Sequence, residues 1–148
     1  RLMLRILAFA LNAHEQLEFT RGISTGDEPD IWLKRLNGEL ELWVELGAPS
    51  QKIVRQSCGK AKNVIIYSYG GNTADVWWSK MKASATRFDN LQVINFSKKD
   101  TSELAKQADR SMEMRVNIQD GDVMVSIGKS TVYITPVKWK NLAHFGTS

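Results

Sequence analysis

Asn63–Tyr69 (NVIIYSY) is the segment that most constrains the fold. A run this apolar, closed by Gly70-Gly71, is the pattern of a central strand covered on both faces. Covering both faces requires helices on either side, and the flanking sequence supplies them. Residues 50–62 follow Pro49 and carry Ile53, Val54, Cys58 and Ala61 along one side, which predicts a helix. Residues 73–85 predict a second helix bearing Val76, Trp77, Trp78 and Met81, and Leu91–Phe96 predicts the next strand. The two strands with the helix between them make a β-α-β unit with parallel strands.

Upstream, Asn37-Gly38 joins two strand candidates, Asp30–Leu36 and Glu39–Leu46, as a hairpin. In the second of these, Leu40, Leu42, Val44 and Leu46 share one face, and Glu39, Glu41, Trp43 and Glu45 share the other. Leu17–Phe19 is a short strand candidate. Residues 2–14 read as a helix apolar on most sides (Leu2, Leu4, Ile6, Leu7, Phe9, Leu11), hence one that is buried on more than one face. Asp100 and Glu103 fit a capping box for a helix running to about Asp109. Beyond it, alternation at Met112–Ile118, Val123–Ile127 and residues 131–139, broken by Asp120-Gly121 and Gly128, predicts a β-meander. The fold expected is therefore α/β in the broad sense (α+β): one domain over 1–148, with a mixed sheet, flanking helices and a C-terminal meander.

A chain of 148 residues buries roughly 68–70% of its unfolded surface and needs no staples. The single cysteine, Cys58, has no partner for an internal disulfide and reads as a buried, inert thiol in a reducing cytoplasm. No apolar run approaches the ~18 residues of a membrane span, and no small-residue cleavage site follows the first apolar segment. The chain opens in a helical pattern without Met or a cap, from which a further N-terminal segment is expected. The formal net charge of +4 favours a polyanion partner without identifying one.

Chemistry concentrates around the hairpin, where Asp27, Glu28, Asp30, Glu39, Glu41 and Glu45 precede Lys52 and Arg55. Paired carboxylates hold Mg²⁺ or Mn²⁺, and the ion polarises a phosphoryl oxygen. Glu41 and Glu45 lie about 13 Å apart along one strand and cannot share an ion. The workable set is Glu45 with Glu28 or Asp30. The same acids also read as a solvated hairpin face. His14 and His144 are remote from each other, which argues against a histidine zinc site or a Ser-His triad. The Gly70-Gly71 turn before a helix could seat a phosphate or nucleotide, but it lacks both GxGxxG and a P-loop lysine, and a plain strand-to-helix turn is the simpler reading. Trp77 and Trp78 suit base stacking, yet adjacent helix positions point one to the core and one outward. Lys52, Arg55, Lys60 and Lys62 suit a phosphate backbone or a solvated face.

Several of these stretches together resemble the bacterial YaeQ family: RLMLRILAFAL, LEFTRGISTGDEP followed by WL, ELWVELGAP, Trp77-Trp78 and NIQDG at 117–121. The resemblance implies a restriction-endonuclease-like fold, a variant of the PD-(D/E)xK superfamily. It implies a nuclease-like protein hydrolysing nucleic-acid phosphodiesters with Mg²⁺ or Mn²⁺, or a non-catalytic nucleic-acid-binding or regulatory module that kept the fold. Glu45 would stand for the acid of the (D/E)xK element and Pro29-Asp30 for the PD element, with Glu28 an equal candidate as metal ligand. Gly47 occupies the lysine position, so Lys52 or Arg55 would supply the relocated charge. Arg21 would contact phosphate or brace the acids.

Overall fold

The protein, as a computed structural model, is described over residues 2–12, 17–19, 29–108, 114–127 and 129–141, with the backbone alone at residues 2, 3, 17–19, 108 and 114. Its elements run α1 (Leu2–Leu11), β1 (Leu17–Phe19), β2 (Ile31–Lys34), β3 (Leu40–Leu46), α2 (Gln51–Lys60), β4 (Ala61–Ser68), α3 (Asn72–Ala85), β5 (Leu91–Asn95), α4 (Lys98–Ala108), β6 (Met114–Gln119), β7 (Asp122–Ile127), β8 (Ser130–Ile134) and β9 (Val137–Lys140).

A mixed six-stranded sheet has the order β1-β2-β3-β4-β5-β9, and a second sheet has the order β6-β7-β8. The pairs β3–β4 and β4–β5 are parallel, as the β-α-β pattern requires, while β1–β2, β2–β3 and β5–β9 are antiparallel. The apolar run sits at the centre of the sheet as β4, buried from Val64 to Ser68. One of its faces packs Ile65 and Tyr67 with Leu4, Leu7 and Ala8 of α1 and with Val123, Val125 and Val132 of the meander. The other packs Val64 and Ile66 with Val54 of α2, Met81 and Ala85 of α3, and Trp43.

The helix expected over 50–62 ends at Lys60, and Ala61-Lys62 open β4. Four further differences have local physical causes. The helix expected over 2–14 ends at Leu11, and Asn12 donates back to the Phe9 and Ala8 carbonyls. The hairpin turn is longer than two residues: Gly38, at φ 90°, donates to Arg35 O at 2.9 Å, and Arg35 N donates to Glu39 O at 2.8 Å. This is a four-residue turn followed by a left-handed residue, a position glycine fills without steric cost. Helix α4 is capped by Ser97 rather than by Asp100: the Ser97 hydroxyl accepts from Asp100 N at 3.1 Å. The Asp100 carboxylate instead accepts from Thr135 N at 3.0 Å. Finally, residues 131–139 are not one strand. The chain breaks at Thr135-Pro136, so β8 completes the meander and β9 crosses to pair with β5. Proline cannot donate to a ladder, so it marks the point where the strand changes sheets.

Candidate functional site

The carboxyl ends of β3 and β4 point the same way, and each feeds a helix. A cleft of about 570 Å³ opens between them, lined chiefly by Leu46, Gly47, Ser50, Ile53, Tyr69 and Thr73. Crevices outside the carboxyl ends of parallel strands are where open α/β sheets bind ligands. The Ser50 hydroxyl caps α2 by accepting from Ile53 N at 3.2 Å. Across the cleft, Trp77 Nε1 of α3 donates to Pro49 O at 2.8 Å, which fixes the β3–α2 loop against the second helix.

Of the acids around the hairpin, Asp30 and Glu45 lie just below this mouth and are buried, whereas Glu39 is exposed and Glu41 half-buried. Asp30 is 0% exposed: its carboxylate accepts from Leu46 N at 2.9 Å, and Arg5 Nε of α1 lies 3.7 Å away. Arg5 also donates from Nη2 to the Asp30 carbonyl at 3.0 Å. Asp30 N donates to Val44 O, although Val44 already pairs in register with Ile31. The ladder therefore slips by one residue at the entrance to β2, and Asp30 reaches the α1 side of the sheet. Glu45 is 1% exposed and accepts from Trp43 Nε1 at 3.1 Å. Trp43 packs with Val54 of α2, on the opposite side. The two residues thus stand at one end of the β2–β3 pair, Asp30 held by Leu46 N and Arg5 and Glu45 by Trp43. Burial also corrects the view of Glu45 and Trp43 as members of a solvated face: that face is the floor beneath α2.

Among the described residues, no three His, Cys, Asp or Glu side chains come together in a way that could hold a metal ion. Glu28, Arg21, His14 and His144 lie outside the described residues. Gly47 has φ 108° and donates to Tyr67 O at 2.9 Å. A lysine at that position would be strained by its backbone alone, so glycine suits this turn.

Lys52 and Arg55 are exposed on α2, as are Lys60 on α2 and Lys62 on β4. No Asp or Glu occurs between Glu45 and Asp75, so the exposed side of α2 is cationic throughout. Trp77 and Trp78 are both half-buried rather than one in and one out; Trp78 stacks on Trp139 of β9 with ring centroids 5.5 Å apart. Local sequence does not reveal that contact, because residues 137–140 continue the alternation of the meander while β9 pairs with β5. The Cys58 thiol is pushed up to about 11 by burial, partly offset by Lys140, as suits an inert side chain. No described helix is long and apolar enough to cross a membrane.

Fold and cleft together define an α+β protein with a mixed sheet between helices and an appended antiparallel sheet. The model of the YaeQ protein family matches residues 1–136, and the chain belongs to that family. It is 34% identical over 140 residues to the Salmonella typhi protein named Uncharacterized protein YaeQ, covering 95% of this chain and 77% of the relative. The Escherichia coli (strain K12) protein of the same name is 33% identical with the same coverage. The crystal structure of YaeQ protein from Xanthomonas axonopodis pv. citri is similar with a TM-score of 0.88 and 38% identity, over 95% of this chain and 79% of that one. YaeQ protein from Pseudomonas syringae follows with a TM-score of 0.84 and 25% identity, over 95% and 78%.

Proposed function

We propose that this protein binds nucleic acid through the cationic side of α2 and the adjoining cleft, using a nuclease-like fold without efficient hydrolysis. One observation carries the reading. Lys52, Arg55 and Lys60 are exposed on a helix without acids whose N-cap Ser50 and first-turn Ile53 line the mouth of the cleft. Phosphate contacts from Lys and Arg supply most of non-specific affinity for nucleic acid. The net charge of +4 acts in the same direction.

The nuclease-like fold implies Mg²⁺ or Mn²⁺, and the described donors are poorly disposed for either. The Asp30 carboxylate is engaged by Leu46 N and Arg5, and Glu45 by Trp43. Hard divalent ions need carboxylate oxygens that converge on a point and leave room for water. Metal-dependent cleavage is therefore the competing arm of the test.

The test is fluorescence anisotropy of labelled oligonucleotides between 50 and 200 mM salt, with EDTA or Mn²⁺ present. Binding in EDTA is expected to weaken steeply with salt, and Lys52→Ala or Arg55→Ala should each lower the slope of log K against log[salt] by about one. Absence of binding at 50 mM salt would remove this reading. Mn²⁺-dependent cleavage lost in Glu45→Ala would replace it with hydrolysis.

A further inference from the structure

The second face of the hairpin holds an aromatic and cationic cluster that the cleft does not use. Trp32 and Lys34 stand two residues apart on β2 and therefore share a face. Trp32 is partly exposed and meets the fully buried Trp43 edge-on, with centroids 6.3 Å apart and planes at 61°. Lys34 Nζ lies 5.3 Å from the Trp32 ring centre, and Lys60 Nζ of α2 lies 5.7 Å from that of Trp43. Trp32 is thus a ring packed edge-on against Trp43 and open on part of its surface, with the Lys34 ammonium over it and the Lys60 ammonium over the neighbouring Trp43 ring.

We propose that this cluster is a stacking platform for single-stranded nucleic acid, with Trp32 taking a base and Lys34 and Lys60 taking the flanking phosphates. The proposal rests on the nucleic-acid reading above and names the strand state. Charge complementarity selects the occupant. A nucleotide brings one flat ring and one anion a few ångströms apart, which matches a ring with an ammonium group 5.3 Å from its centre. Lys34 is exposed, and a cation–π contact at an exposed site holds it weakly, so it can leave the ring for a phosphate as the base arrives. Trp43 keeps Trp32 in place, so little side-chain freedom is lost on binding. The nearby Glu41 is compensated by Arg35, whose Nε lies 3.0 Å from its carboxylate. Glu18 stands opposite Trp32 in the backbone register with β1. Duplex bases are already stacked and cannot reach Trp32, so the platform discriminates between strand states.

The experiment compares oligo(dT) with a hairpin duplex of equal length, using the whole chain. Trp32→Leu is expected to weaken oligo(dT) binding about tenfold, the loss of one base–aromatic stack, and to leave duplex binding unchanged. Trp32→Phe should keep most of the affinity, and saturating oligo(dT) should quench tryptophan emission more in the parent than in Trp32→Phe. Unchanged oligo(dT) affinity in a folded Trp32→Leu, or equal quenching in parent and Trp32→Phe, would overturn the platform while leaving the α2 reading intact. Loss in Trp32→Leu with none in Lys52→Ala and Arg55→Ala would uphold the platform and remove Lys52 and Arg55 from the interface. If Trp32→Leu fails to fold, the quenching comparison decides. Poly-glutamate competing as well as oligo(dT) would assign the cluster to acidic polypeptides and overturn the proposal.

Discussion

A carboxylate with no solvent exposure must have its charge met inside the protein. Asp30 meets it with Leu46 N and with Arg5, and that is why α1 is fixed to the entrance of β2. Removing one member of a buried pair leaves the other uncompensated, which costs about 3–5 kcal/mol. Arg5→Met should therefore lose about 3 kcal/mol in urea unfolding, and a variant as stable as the parent would show that the pair contributes nothing net. Titration gives a second outcome at this scale. Burial holds the Cys58 thiol up at about 11 from 9.0, and the Tyr67 hydroxyl up at about 12 from 10.0, the latter partly offset by the bond from Asn12. Both folded values are raised. Below pH 9 the folded and unfolded chains hold these protons alike, and stability is complete. As pH rises from 9 through 12, the unfolded chain releases them first and stability falls. The melting temperature should decline over that window, with Cys58→Ala flattening the lower part and Tyr67→Phe the upper. Identical profiles in all three proteins would contradict the assignment.

At the scale of elements, the strongest local signals proved the most dependable. The apolar run at Asn63–Tyr69, the hairpin at Asn37-Gly38 and the first two strands of the meander are each specified by a few neighbouring residues, and each formed, although the hairpin turn is longer and the third meander stretch splits at Pro136. Caps are more ambiguous, since two candidate residues can stand three apart. Asp100 resembles an N-cap by type, but Ser97 holds the position and frees the Asp100 carboxylate for Thr135 N, 35 residues away. Ser97→Ala should cost about 1 kcal/mol and lower α4 helicity by circular dichroism. Asp100→Asn should leave helicity intact and instead loosen amide exchange at Thr135. If the two variants exchanged these effects, Asp100 would be the cap after all. The candidate site was legible to the same degree. The acids and cations were readable as residue types, while the burial of Glu45 and the Arg5–Asp30 pair depend on contacts between distant segments that no local pattern encodes. Trp32 carries no signal in the sequence, because a single aromatic in a short strand stands out only once Lys34 and Trp43 are seen against it.

For the molecule as a whole, the question is whether two sheets make one folding unit. They share one core: Val125, Ile127 and Val132 of the meander pack with Leu7 of α1 and with Val44, Leu46 and Tyr67 of the main sheet. They are also joined through β9, which leaves the meander at Pro136 and pairs with β5. All five tryptophans lie outside the meander, at positions 32, 43, 77, 78 and 139. Tryptophan emission therefore reports on the main sheet and its helices alone. Val125 is fully buried, and Val125→Ala removes about two methyl groups from the shared core, a loss of about 2 kcal/mol with its cavity. If the sheets unfold together, the urea midpoint followed by tryptophan emission should shift by the same amount as the midpoint followed by far-ultraviolet circular dichroism. If the meander opened on its own, the dichroism transition would broaden or split and the tryptophan midpoint would stay where it was. The shared burial of Val125 and Val44 predicts the first result, because neither face of the interface can be exposed to water without exposing the other.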